Sequence, residues 1–263
     1  MFALTRRASA ATLISIAAIS GVGLAAAPAN AATTVKVLGT SNVRPGPTDA
    51  TSSVRTLAAG TNVSIECKVT GKTLTNSNGY SSSVWNRTTS GEYIWDGTLN
   101  TDGLAISNCT GGTAAISKAI VKYAGKDVNT DFYQDGTPYP VNNPYQCWDL
   151  ANRFALDNGL GMLRTGDGTA AGIYENYWSN GNSTNYTRIA NASNILPKPG
   201  DHLVWDRSLG GGAGHVAVVV RADWNTVTVL EQNAPAGSAT RVHTYSWDAI
   251  DTDIQGWLHA KKW

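Results

Sequence analysis

The chain has 263 residues with 20 basic and 19 acidic side chains, so no charge excess points to a partner. Near-neutrality argues against a nucleic-acid binder held by phosphate contacts and leaves carbohydrate, peptide or cell-wall partners open. Beyond residue 31 no segment is apolar enough to span a membrane.

Residues 1–31 read as an export signal. Arg6 and Arg7 supply the positive start, an apolar run covers residues 11–27, and Ala29-Asn30-Ala31 is a small-residue cleavage site. The mature chain then begins at Ala32 with 18 basic against 19 acidic residues, and it is expected to be secreted and soluble, with no membrane partner after cleavage. Nine Trp and ten Tyr against three Phe suit an exported protein that meets sugars.

Residues 32–110 read as an all-β module. Val35-Lys36-Val37-Leu38 alternates, as does the run from Asn62 to Val69, and Val84-Trp85-Asn86-Arg87 and Glu92-Tyr93-Ile94-Trp95 flank a turn at residues 88–91. Gly46-Pro47, Ala59-Gly60 and Asn78-Gly79 punctuate the segment. Such a short module has a thin core. In an oxidising compartment its two cysteines, Cys67 and Cys109, are expected to pair, which leaves Cys147 as the odd thiol. Trp85 and Trp95 are candidate ligand-facing aromatics, with Trp85 better suited to the core.

Asn42-Val43-Arg44-Pro45-Gly46-Pro47, with Val54 to Leu57, Gly60 to Val63 and Gly91-Glu92-Tyr93-Ile94, resembles bacterial SH3-like domains. The resemblance implies an SH3-like barrel that accompanies a cell-wall enzyme and helps it bind the wall.

Residues 111–113 read as a short linker, and residues 114–124 as a helix ended by Gly125. Residues 131–143 are turn-rich. The next helix is expected to take Asn143 as its cap and Pro144 as its first residue. Leu150, Ala151, Phe154 and Ala155 follow Cys147 at helical spacing, and Gly159 and Gly161 end the run. A cysteine in the first turn feels the positive end of the helix dipole, which favours thiolate. The same position also fits a cysteine that merely lines the apolar face. Residues 160–195 read as a long loop over one face with a short helix near residues 171–178.

Pro199-Gly200-Asp201 reads as a turn, His202 to Trp205 as a strand, Gly210 to Gly212 as a flap or spacer, and His215 to Val220 as a strand. Thr226 to Asn233 returns. In a hairpin centred on Asp223, His215 lies directly opposite Glu231, close enough for a carboxylate to hold an imidazole. An odd shift would separate them onto opposite faces. Cysteine at a helix start, histidine as base and a carboxylate behind the histidine follow papain-like logic. Asn233 lies two residues further along the same face as a polar supporter. Residues 247–250 read as a short turn or helix and residues 254–259 as a closing strand.

Tyr145-Gln146-Cys147-Trp148-Asp149-Leu150-Ala151, Pro199-Gly200-Asp201, Gly214-His215-Val216-Ala217 and Glu231-Gln232-Asn233 together resemble a CHAP domain of the NlpC/P60-type cysteine hydrolases. The resemblance spans residues 114–263 and implies an α+β papain-like domain with an antiparallel sheet. It makes Cys147 the nucleophile, His215 the base, Glu231 the orienting group and Asn233 a supporter. It implies cleavage of a peptidoglycan amide, either the N-acetylmuramoyl-L-alanine bond or a peptide bond. The histidines and cysteines show no tight paired spacing for zinc, so no metal is expected, nor a cofactor, and the chain is expected to be a monomer. A catalytically silent wall-binding protein is the alternative. Asp201 is expected to shape the strand start, and His202, His243 and His259 match no motif and read as packing or surface residues.

Overall fold

The computed structural model describes residues 32–129, 145–191 and 194–263. The expected export signal, the turn-rich segment 130–144 and the expected cap Asn143-Pro144 lie outside the described residues.

Six strands build the first unit: β1 (Thr33–Lys36), β2 (Ser41–Arg44), β3 (Arg55–Leu57), β4 (Asn62–Thr75), β5 (Ser81–Thr88) and β6 (Tyr93–Trp95). They form one antiparallel sheet in the order β1-β4-β5-β6-β2-β3. The β4–β5 hairpin turns where Asn76 Oδ1 accepts the backbone N–H groups of Asn78 and Tyr80, an Asx turn written by the residue type. Alternation in β4 sends Ile65 and Cys67 inward, where Ile65 joins Val35, Val37, Val43, Ile94, Leu99 and Ile106. Trp85, Tyr93 and Trp95 form a second cluster. Trp95 is therefore buried like Trp85, with its indole N–H on the Ser82 carbonyl, and neither ring faces a ligand.

Cys67 is bonded to Cys109, and the bond closes a 42-residue span onto the strand at the heart of this thin unit. The Cys67→Ser/Cys109→Ser double variant is expected to lose up to about 4 kcal/mol of stability by the chain-entropy argument. Urea unfolding of the mature chain checks this, and an unchanged midpoint would refute it.

Residues 111–113 are not a linker. They are the first turn of α1 (Gly111–Tyr123). A side chain at Gly112 would collide with the Pro199 carbonyl oxygen at 1.8 Å, so the glycine marks close packing where the sequence resembles a spacer. Helix α1 joins the two units. Its Ser117 hydroxyl meets the Tyr93 hydroxyl at 2.7 Å, while Ile116 and Ile120 enter the core of the second unit. Arg221 also donates from that unit to the Ser90 carbonyl of the first, at 3.2 Å.

The second unit contains α2 (Cys147–Asp157), α3 (Gly172–Glu175), β7 (Tyr186–Ala190), β8 (His202–Trp205), β9 (His215–Ala222), β10 (Thr226–Glu231), β11 (Arg241–Ser246), α4 (Trp247–Ile250) and β12 (Ile254–Ala260). Its antiparallel sheet runs β11-β10-β9-β8-β12-β7. On one face α1 and α2 cover Val204, Val216, Val218, Leu230 and Leu258. The other face carries Leu203, Trp205, Ala217, Val219, Val227, Val229 and Trp257 under Ile250 and Ile254. Both faces are covered, which is why β9 is an unbroken apolar run.

Strand β7 corrects the expectation of a loop over residues 160–195. Its five residues pair with β12 at the sheet edge, where a short polar strand looks like loop sequence. Asp201 holds its turn as expected, accepting the Lys198 N–H at 2.8 Å, and it also pairs with His259 Nδ1 at 2.7 Å. His202 is fully buried, with Nε2 at 3.2 Å from the Ala151 carbonyl. Burial pushes its pKa down to about 4, so the ring packs as a neutral group. Among the described residues no helix is long and apolar enough to cross a membrane.

Candidate active site

Cys147 is the first residue of α2, and Gln146, not Asn143, is the N-cap. Asp149, fully buried, accepts the Gln146 backbone N–H at 2.8 Å in a capping box. The Trp148 indole donates to the Leu163 carbonyl at 2.7 Å. Leu150, Ala151, Phe154 and Ala155 are buried as the helical spacing requires. Cys147 is half-buried and is the free cysteine of the described chain.

His215 opens β9. Gly214 before it has φ +71°, and a side chain there would meet the Trp205 carbonyl oxygen at 2.7 Å and the Ala171 Cβ at 2.9 Å. Only glycine fits this left-handed, crowded position. Trp205 pairs with His215 across the β8–β9 ladder, and its ring lies 5.0 Å from the imidazole, walling it from water.

The β9–β10 register differs from the expected one. The turn is Asp223 to Thr226, closed by Asp223 Oδ1 on the N–H groups of Asn225 and Thr226. Near it Val227 faces Ala222 and Thr228 faces Arg221, an odd register that, carried on, would place His215 and Glu231 on opposite faces. A β-bulge then intervenes, and Val229 faces Val219 and Leu230 faces Val218. One step further, Glu231 faces Ala217, with His215 on the diagonal. The register is thus two residues from the expected one, and an even offset keeps the pair on one face. His215 Nε2 lies 3.2 Å from Glu231 Oε2.

Glu231 is fully buried and richly paired. The Tyr245 hydroxyl donates to it at 2.8 Å, Arg241 Nε at 3.0 Å, and an Arg241 terminal nitrogen lies at 2.8 Å. Burial pushes its pKa up, but His215, Tyr245 and Arg241 outweigh burial and hold the carboxyl below its usual range. Arg241 and Tyr245 were not anticipated from sequence. The signal for Arg241 is cross-strand pairing, since it stands opposite Glu231 in the β10–β11 ladder, and Tyr245 lies on the same face opposite Val227, but seeing either requires the register.

His215 is pushed up to about 9. Burial opposes this, and the bonds to Cys147 and Glu231 override it. Burial likewise raises the Cys147 thiol, while the hydrogen bond and charge of His215, with backbone N–H groups of Val216 and Trp148, bring it below its ordinary value. With Nε2 on Glu231, Nδ1 is the ring nitrogen left for the thiol. The arrangement favours a thiolate–imidazolium pair.

Asn233 does not support His215. It has φ +60° beyond the end of β10, and its Nδ2 donates to Gln146 Oε1 at 3.0 Å. Gln232 Nε2 donates to the Gln146 carbonyl at 3.1 Å and to that of Val128 at 2.9 Å. Three consecutive residues therefore serve two elements: Glu231 holds the imidazole, and Gln232 and Asn233 hold the cap of the cysteine helix.

Cys147, His215 and Trp205 open onto a groove of about 1020 Å³, walled by residues 233–236, by Leu209, Gly210, Ala213 and Gly214, and by Ala249, Ile250 and Asp253. Gly210–Gly212, expected as a flap or spacer, is a tight turn beside one wall whose three residues all have φ between +60° and +98°, which favours glycine. Arg207 ties that wall to the neighbouring loop, pairing with Asp167 and Glu175 at 2.6 Å each and donating to the Gly212 carbonyl at 3.3 Å.

A free thiol at a helix start, facing the same groove as an imidazole that a buried carboxylate holds, has the components of a nucleophile, a base and an orienting group. Residues 136–233 match the family model of the CHAP domain. The chain is similar to the "Probable autolysin PH" of Staphylococcus aureus, with 32% identity over 113 residues, 41% of this chain and 20% of that protein. It thus spans about a fifth of the length of this curated relative. Among solved structures, Ly7917 "with the hydrolyzing product of MDP" matches with 17% identity and a TM-score of 0.40, covering 57% of this chain and 63% of that one. NlpC2 from Trichomonas vaginalis matches with 16% identity and a TM-score of 0.32, covering 87% and 73%.

Proposed function

We propose that this chain is a secreted peptidoglycan hydrolase that cleaves an amide bond through Cys147. The observation that carries the reading is the free Cys147 thiol facing the same groove as His215, whose Nε2 is held by buried Glu231. The CHAP domain and the autolysin-like relative support peptidoglycan as the substrate.

In this reading His215 holds the thiol proton and the thiolate attacks the amide carbonyl carbon. Backbone N–H groups at the start of α2, that of Cys147 included, stabilise the oxyanion. The imidazolium then gives its proton to the leaving amine, the C–N bond breaks, and an acyl-enzyme remains. Water, deprotonated by His215, releases the acid and restores the thiol. Glu231 fixes the tautomer and supports the positive charge. The first unit serves as an SH3-like wall-binding module ahead of the catalytic domain, and the mature chain acts as a monomer.

The bond is either the N-acetylmuramoyl-L-alanine amide or a peptide bond. Digestion of isolated cell walls by the mature chain decides. New muramyl and alanine ends mean an amidase, and new peptide amines an endopeptidase. Walls bound without new ends would make the chain a silent wall-binding protein and overturn the proposal.

The ion pair gives a pH signature. Activity should rise as the thiolate forms, at a pH below the ordinary thiol range, and fall as His215 loses its proton at about pH 9. A pH profile of kcat/KM checks this. An alkaline rise with no fall would refute the pair as the reactive form.

A further inference from the structure

Beyond α4 from the groove lies a second pocket, of about 350 Å³, with Asn191, Trp224, Trp247, Asp248, Asp251 and Trp257 in its lining. Three of its features have no use in the hydrolytic site. Trp224 is 70% exposed at the tip of the β9–β10 turn, where a small polar residue would serve the turn as well. The turn is rigidly built: Asp223 binds its own backbone, and the Trp247 indole N–H donates to the Asp223 carbonyl at 2.7 Å. Asn191 orients Asp251, donating to its Oδ1 at 2.7 Å and its backbone carbonyl at 3.0 Å. Trp257 is buried, and its indole N–H has no hydrogen-bond partner. An unsatisfied buried donor costs about 1–3 kcal/mol, so this ring is held in the core beneath the pocket at some expense.

We propose that this pocket is a subsite for one neutral N-acetylhexosamine residue of a glycan strand. Its volume is near the lower end of the ~300–1,000 Å³ of small-molecule sites, the scale of a single sugar ring. Indole faces suit the C–H faces of a pyranose, and oriented carboxylate and amide groups suit its hydroxyls. Asp248 and Asp251 repel a sugar that bears a carboxylate. Both carboxylates are exposed to water, which screens their repulsion of an acidic sugar and their attraction of a cation alike, so the tryptophans and the polar contacts carry the selection. The pocket also sits where a strand would need it. Trp247, Asp248 and Asp251 line it, while Ala249, Ile250 and Asp253 of the same short segment line the Cys147 groove. A sugar held here lies one short helix away from the thiol. This position matters for catalysis only on the reading that the groove hydrolyses peptidoglycan.

The test is titration of the mature chain with the tetramer of N-acetylglucosamine, read by tryptophan fluorescence and calorimetry without any turnover. Saturable binding is expected, weakened at least tenfold in Trp224→Ala and several-fold in Asp248→Ala, both changes at exposed positions. Hydrolysis of a short soluble peptide amide should be unchanged in Trp224→Ala, while release from intact walls falls several-fold. No saturable binding, binding insensitive to both substitutions, or displacement of the sugar by tetramethylammonium overturns the proposal. Because the titration does not depend on Cys147, loss of the hydrolase reading and loss of this one are separate results.

Discussion

Cys147→Ala is expected to abolish wall clearing, with a fall on the order of 10⁶-fold, the scale seen when a nucleophile is removed from a unit that acts as a whole. No neighbouring group can take over, because Cys67 and Cys109 are bonded to each other. The fold should survive. Cys147 is only half-buried, and α2 is held by its capping box and by Leu150, Ala151, Phe154 and Ala155 in the core, so stability should change by less than about 1 kcal/mol. Alkylation followed by mass spectrometry should find one reactive thiol in the mature chain and none in the variant. Wall clearing that persists in Cys147→Ala would sink the proposed mechanism outright.

The second large effect is expected at Glu231. Glu231→Gln keeps the shape but places an amide among the donors Arg241, Tyr245 and His215. The amide NH₂ must then face one of them, and the imidazole loses the charge that sustains its proton. Exchanging the carboxylate behind a catalytic imidazole for an amide costs about 10⁴-fold in rate. Breaking a buried ion pair costs about 3–5 kcal/mol, and exposure of the Arg241 end to solvent reduces this towards about 2 kcal/mol. The sign on pH follows from the charge. Glu231 helps raise His215, so the alkaline limb should move to lower pH in the variant. Tyr245→Phe removes one hydrogen bond and should cost about 1 kcal/mol and less than tenfold in rate. Equal activity in Glu231→Gln and the parent chain would remove Glu231 from the mechanism.

How far the site could be read from sequence depended on which physical quantity each residue reports. The free thiol followed from counting cysteines in an oxidising compartment, and the Cys67–Cys109 bond agrees. The shared face of His215 and Glu231 followed from alternation, which survives an even slip. Their true register did not follow, because it depends on a four-residue turn and a bulge at the Thr228–Val229 step that alternation cannot show. Arg241 was missed for the same reason, being paired with Glu231 across a long connection, and Tyr245, which stands opposite Val227, reaches Glu231 along the same face. Asn233 was assigned to the imidazole on strand parity, but the strand ends at Glu231 and the chain turns toward Gln146. Gly111-Gly112 looked like a spacer because close packing and flexibility select the same residue. Alternation marked strands of the first unit, while the antiparallel sheet of the second was implied by the CHAP resemblance, and its two edge strands, β7 and β11, were not legible.

The run Glu231-Gln232-Asn233 also determines how the site can fail. His215 and Cys147 come from different elements, so their separation could drift as each element breathes. Here both are referenced to one short length of backbone, as two arms are to a common hub. Displacing the hub carries the imidazole and the cap of α2 together, so small motions preserve their spacing. Unfastening it releases both at once. Loss of the reactive ion pair on heating should therefore be a single event, shared by the end of the sheet and the beginning of the helix, rather than a gradual loosening of either.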